Sequence, residues 1–119
     1  MITIADKLKT IVNALEDKKA EDISILRLQS LTAITDYFVI CTGTNPPQIK
    51  AIADNVERRL RDSGVKPLSI EGLRHAQWVL MDYNDVIIHV FTPQMRDYYQ
   101  LERLWLDAPS LTAQELRAS

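Results

Sequence analysis

The sequence predicts a single α/β domain in which helices pack on a mixed β-sheet. Three observations carry that prediction. Segments of helical and strand period follow each other as helix, two strands, helix, three strands, helix. The segment "DYFVICTG" (36–43) is an almost unbroken apolar run, which suits a central strand buried on both faces. The segment "QWVLMDYNDVIIHVF" (77–91) reads as two short strands joined at Asn84-Asp85.

Each element has its own justification. Residues 3–18 form the first expected helix: Thr3 can cap it, and Ile4, Leu8, Ile11, Val12 and Leu15 share one face. "DISILRL" (22–28) is a strand, 29–35 a connection and 36–43 the next strand. The second helix has the clearest start: Asn45 as cap, Pro46 at the first position and Gln48 at the capping-box position. Its stripe is Ile49, Ile52, Ala53, Val56 and Leu60, and Gly64 stops it. "KPLSI" (66–70) is a short edge strand, since Pro67 cannot donate to a ladder. The strand–helix–strand unit over 36–70 implies a parallel pair with a right-handed crossover, if those strands share the sheet. Thr92-Pro93 opens a further helix, with Tyr98, Leu101, Leu104 and Trp105 as packing residues, and Pro109 ends that pattern. Ser110–Ala118 is expected as a short, loosely held helix.

Composition excludes several function classes. At 119 residues the chain has the size of one domain and needs no disulfide or metal to fold. No apolar run approaches the ~20 residues that span a bilayer, and the first ten residues lack a signal-peptide core. The expected location is the cytoplasm, with no membrane contact. The net charge of −2 argues against a protein held mainly by nucleic-acid phosphates. The nearest basic run, Arg58, Arg59 and Arg61, is interleaved with Asp54, Glu57 and Asp62 and reads as a solvated helix face. Cys41, the one cysteine, lies in the apolar run and reads as a small buried hydrophobe.

No catalytic constellation is found. His75 and His89 have no Cys or His partner at ligand spacing, and there is neither a Walker A loop nor a nucleophile elbow. "CTGTNPP" has a single glycine and two prolines without N–H donors, so it reads as a capped turn. Asp82 and Asp85 are poorly arranged for two-metal chemistry, one on a strand and the other in a turn. No metal or cofactor is expected.

The hairpin raises the functional question. A two-residue turn at Asn84-Asp85 sets Tyr83 against Val86, Met81 against Ile88 and Val79 against Val90, which is the core face. The other face sets Asp82 against Ile87, Leu80 against His89 and Trp78 against Phe91. Residue pattern alone leaves two readings open. A helix over 93–105 covers this face, or it is a docking surface with Trp78 as anchor and acidic groups for a basic partner.

Three stretches then identify a resemblance: "DYFVICTGTNPPQIKAIADNVERRL", "EGLRHAQWVLMDYNDVIIHVF" and "RDYYQLERLW". Together they resemble the bacterial ribosomal silencing factor family, RsfS, also called Iojap-like, from about residue 5 to residue 108. The matching positions include Asp36, the Cys-Thr-Gly-Thr turn, Glu71-Gly72, Trp78, Asp82, His89-Val90, Arg96 and Leu104-Trp105. On this basis residues 1–108 are the expected family domain and 109–119 a C-terminal tail. The resemblance implies a nucleotidyltransferase-like topology without the catalytic acids, and no enzymatic activity. It implies binding to the large ribosomal subunit through ribosomal protein L-fourteen, with little direct RNA contact. Blocking small-subunit joining would then lower translation under nutrient limitation or in stationary phase. Organelle relatives act in ribosome assembly, which is the alternative role, and some members form homodimers. The implied docking surface centres on Trp78, Leu80 and Asp82, with Tyr83, Asp85 and His89 as neighbours.

Overall fold

A computed structural model describes residues 2–118. The helices are α1 (Ile4–Asp17), α2 (Pro46–Asp62), α3 (Pro93–Tyr99), α4 (Leu101–Leu104) and α5 (Ala113–Ala118). The strands are β1 (Glu21–Arg27), β2 (Tyr37–Thr42), β3 (Ser69–Glu71), β4 (Trp78–Asp82), β5 (Val86–Phe91) and β6 (Ser110–Leu111). The six strands form one sheet in the order β3-β4-β5-β2-β1-β6.

The helix starts follow their sequence signals. Thr3 Oγ1 accepts from the Asp6 amide at 3.1 Å, and Asn45 Oδ1 accepts from the Gln48 amide at 2.9 Å. Gln48 Oε1 accepts from the Thr44 amide, one residue before the cap, at 2.7 Å. Its Nε2 donates to the Lys18 and Lys19 carbonyls at 3.1 Å, which ties the start of α2 to the end of α1. Deeper in the same helix pair, buried Asn55 Nδ2 donates to the Ala14 carbonyl at 2.9 Å. The buried Asn55 amide thus has a backbone partner, which offsets its lost hydration.

β2 is central, as its apolar run predicts, with β5 on one side and β1 on the other. The parallel arrangement differs in detail from the expected one. β2 and β3 run the same way, but the β4–β5 hairpin lies between them, and the adjacent parallel pair is β2 with β5. All six residues of β5 are buried, whereas β3 is short and follows Pro67, so β5 takes the interior place and β3 the edge.

Alternation divides the sheet into two unequal faces. The first carries Ile25, Val39, Cys41, Val79, Met81, Tyr83, Ile88 and Val90 into the main core, under the stripes of α1 and α2. The second carries a smaller cluster of Leu26, Leu28, Ile40 and Phe91, against which Phe38, Trp78, Met95, Leu101, Trp105 and Ala108 pack.

The chain beyond residue 92 departs from expectation in three ways. The expected helix over 93–105 is broken at Gln100, whose φ of 45° lies in the left-handed region. This bend turns Glu102 back to Arg96, whose guanidinium also donates to the Asp22 carbonyl and to Thr42 Oγ1. The same bend inverts part of the packing assignment: Leu101 and Trp105 reach the second face, while Tyr98 and Leu104 are exposed. The segment 110–118 is also more than a loose helix. Ser110 and Leu111 pair antiparallel with β1, and α5 buries Leu116 in the main core while Arg117 pairs with Glu16 of α1.

Leu116→Ala is therefore expected to destabilise the fold by about 2–3 kcal/mol in denaturant unfolding. Leu104→Ala, at a site that is 71% exposed, should change stability by less than about 0.5 kcal/mol.

Candidate functional site

The β4–β5 hairpin has the register that its turn predicts: Trp78 opposes Phe91, Val79 opposes Val90, Leu80 opposes His89, Met81 opposes Ile88 and Asp82 opposes Ile87. The Tyr83 amide donates to the Val86 carbonyl at 2.9 Å, closing the two-residue turn, with Asn84 at a φ of 73°. Asp82 Oδ1 accepts the Asn84 amide at 2.8 Å and so fixes both the turn and its own carboxylate.

The helical cover expected from residues 93–105 holds for one part of the second face, and the other part is open. α3 and α4 cover the end where Phe91 and Ile40 lie, leaving Phe91 1% exposed. The cover stops at Trp78. Its ring stacks on Phe91, with centroids 5.0 Å apart, and meets Tyr99 at 4.6 Å from the outer side. Beyond it Leu80 and Asp82 are half-buried, and Phe38 of β2 is half-buried beside them. The result is a half-covered patch with an aromatic border and a carboxylate at its far end.

His89 lies under this patch, 3% exposed. Trp78 Nε1 donates to its Nδ1 at 3.0 Å, so Nδ1 is unprotonated and the ring proton sits on Nε2. Nε2 is buried without a hydrogen-bond partner among the described residues, and the Phe38 ring stands edge-on to the imidazole at 4.7 Å. A second proton would place a charge in this apolar setting, and burial accordingly lowers the His89 pKa from 6.5 to about 4. His89 thus supports Trp78 from below and offers no donor to the surface.

Two of the six expected site residues lie elsewhere. Tyr83 points to the opposite face, 3% exposed in the main core. Burial first, and Glu57 second, raise its hydroxyl pKa to about 12. The Asp85 carboxylate accepts from Lys7 Nζ of α1 at 2.7 Å, a pairing that holds the hairpin turn to the helical layer. Strand alternation already assigned Tyr83 to the core face. Tyr99 and Phe38, which frame Trp78 and His89, carried no sequence signal of their own. Tyr99 reaches Trp78 only because the helix breaks after it.

Gly72 sets the approach to Trp78. Its φ is 89°, and a Cβ there would lie 2.0 Å from the Trp78 carbonyl oxygen. The loop between β3 and β4 closes against the start of β4 only with glycine at this position. Cys41 lies in the main core, where burial pushes its thiol up to about 12 against a smaller opposing effect of Arg96, so it stays protonated.

Residues 2–119 match the family model described as ribosomal silencing factor during starvation, RsfS. The chain belongs to the RsfS family. It is 41% identical over 104 residues to ribosomal silencing factor RsfS of Halalkalibacterium halodurans, an alignment covering 87% of this chain and 89% of that one. A crystal structure of a protein from Chromobacterium violaceum superposes with a TM-score of 0.85 at 38% identity, covering 87% of each chain. A more distant RsfS relative is the mouse protein named mitochondrial assembly of ribosomal large subunit protein 1, 30% identical over 98 residues, 80% of this chain and 43% of that one. The RsfS match includes the segment 109–119, which the three sequence stretches did not reach.

The buried imidazole gives a pH prediction. Between pH 6.5 and about 4 the unfolded chain holds a proton on His89 that the folded chain does not. Its contribution is therefore intact above 6.5 and is lost as pH falls through that window, by up to about 1.4 kcal/mol per pH unit. His89→Phe should flatten this part of the stability curve in denaturant unfolding at stepped pH. Equal slopes for the two proteins between pH 6 and 4.5 would exclude the assignment.

Proposed function

We propose that the half-covered patch of Trp78, Leu80 and Asp82 docks on the large ribosomal subunit through ribosomal protein L-fourteen. The bound domain then blocks joining of the small subunit and represses translation under nutrient limitation, in the cytoplasm. One observation carries this reading: in a chain of the RsfS family, the helical cover of the second face ends at Trp78 and leaves the strand beyond it open. Trp78 is a pre-positioned anchor. It is held by Phe91, Tyr99 and the His89 hydrogen bond, so little side-chain entropy remains to be lost on binding. Asp82, fixed by the turn amide, supplies a charge suited to a basic protein. Tyr83 and Asp85 enter the reading only as supports, one beneath the sheet and the other at the turn.

The mechanism asks for affinity and bulk, with no bond made or broken. A folded domain about 33 × 32 × 26 Å across excludes any subunit that must occupy the same surface. The half-buried aromatic and aliphatic groups supply most of the free energy, and the carboxylate supplies orientation and encounter rate. A second reading, a role in large-subunit assembly at the same face, is favoured by the name of the mouse relative.

Trp78→Ala and Leu80→Arg, each checked for folding, should weaken binding to purified large subunits by at least about tenfold. Asp82→Arg should lower the association rate and the salt dependence of binding. Three folded variants that bind as well as the wild type would remove the site, and a wild-type protein that leaves subunit joining untouched would remove the silencing role. Co-sedimentation with precursor rather than mature large subunits would select the assembly role.

A further inference from the structure

The outer edge of β3 is an unpaired margin of the sheet among the described residues. β3 is the last strand on its side, and Ser69 and Glu71 are exposed while Ile70 is half-buried. At the opposite margin the two-residue β6 covers β1, and among the described residues no such strand covers β3. Exposed edges are ordinarily blunted, because their unpaired amides and carbonyls recruit other chains.

A cavity opens on each face of this edge. On the α2 side a cavity of about 390 Å³ has Ala53, Ile70 and Leu73 as its apolar lining, together with charges of both signs from Lys50, Arg74, Asp54 and Glu57. On the Trp78 side a cavity of about 210 Å³ is bounded by Glu71, Gly72, Trp78 and Leu80. Successive residues of a strand point to opposite faces, so a strand added beside β3 would send one side chain into each cavity.

We propose that β3 accepts an extended segment of the partner by strand addition, so that docking uses the sheet edge as well as the Trp78 patch. The proposal rests on the docking reading above and deepens it by naming the segment. The wall of Ala53, Ile70 and Leu73 takes an aliphatic side chain. The other cavity takes Lys or Arg from the adjacent position, its stem along Leu80, its cation against the Trp78 ring and the Glu71 carboxylate. The occupant is therefore an extended, basic segment of a large-subunit protein, with an aliphatic residue next to a cationic one. Three residues of pairing give few main-chain hydrogen bonds, so the two side chains supply most of the specificity.

The test uses the full chain and purified large subunits. Hydrogen exchange of the outward-facing amides of Ser69–Glu71 should slow on binding. Leu73→Asp and Glu71→Arg, both at exposed positions, should each weaken binding by at least about tenfold while leaving the folded state intact. The edge proposal falls if β3 exchanges equally in the free and bound protein and both variants bind normally, while Trp78→Ala still loses binding; the docking reading then stands. It also falls if β3 protection appears without subunits and grows with protein concentration, which would assign the edge to a second copy. Wild-type protein that fails to bind large subunits overturns the docking reading and the edge proposal together.

Discussion

The structure depends on one constraint, the burial of β5 on both faces. Its six residues are all buried, and it pairs parallel with β2 and antiparallel with β4. A strand without an outer side needs cover above and below. α1 and α2 together provide thirty-one residues of helix, 14 and 17, for the first face. The second face has only the 7 and 4 residues of α3 and α4. That shortfall leaves β4 partly open, and the open part is where the Trp78 ring and the Asp82 carboxylate stand. The proposed docking surface is thus what remains after a small domain has covered the strand that it must cover.

Trp78 sits at this boundary and belongs to both sides of it. Its ring completes the minor core over Phe91, and its Nε1 satisfies His89 beneath. His89 in turn is kept neutral by burial, so that its Nδ1 remains an acceptor. The arrangement costs one buried imidazole N–H without an acceptor among the described residues, commonly of order 1–3 kcal/mol. What it provides is a tryptophan ring held by a hydrogen bond from below and by ring contacts at its sides. The Arg96 cluster plays the matching role for the cover, joining α3 and α4 to each other, to β2 at Thr42 and to the start of β1 at Asp22.

The features legible in the sequence are those with a local cause. The Asn84-Asp85 turn fixed the hairpin register, because side-chain alternation follows once the turn length is known. Thr3 and Asn45 marked two helix starts through hydrogen bonds spanning three residues. The apolar run 36–43 announced a central strand, observed over Tyr37–Thr42. The misreadings involve distant causes. Nothing near Gln100 signals a break that is stabilised by Arg96 contacts with β1 and β2. The pairing of Ser110–Leu111 with β1 spans more than eighty residues, and two residues carry no strand period. The place of β5 beside β2 is a choice among strands that only the whole sheet decides. On the second face, Trp78, Leu80 and Asp82 were placed by alternation, while Tyr99, Phe38 and the Lys7 pairing of Asp85 became visible only in three dimensions.

The packing of α5 on α1 bears on how this domain is made. Arg117 meets Asn13 and Glu16 across 104 and 101 residues of chain, and Leu116 fills the core beside the α1 stripe. A chain that emerges from its N-terminal end has α1, β1, β2 and α2 in hand long before the segment that seals them. The apolar stripe of α1 therefore waits half-covered during synthesis, and loop closure over a hundred residues is slow as well as late. Closure of the main core therefore waits for Leu116, the core residue latest in chain order among those described, and until then the growing domain exposes apolar surface.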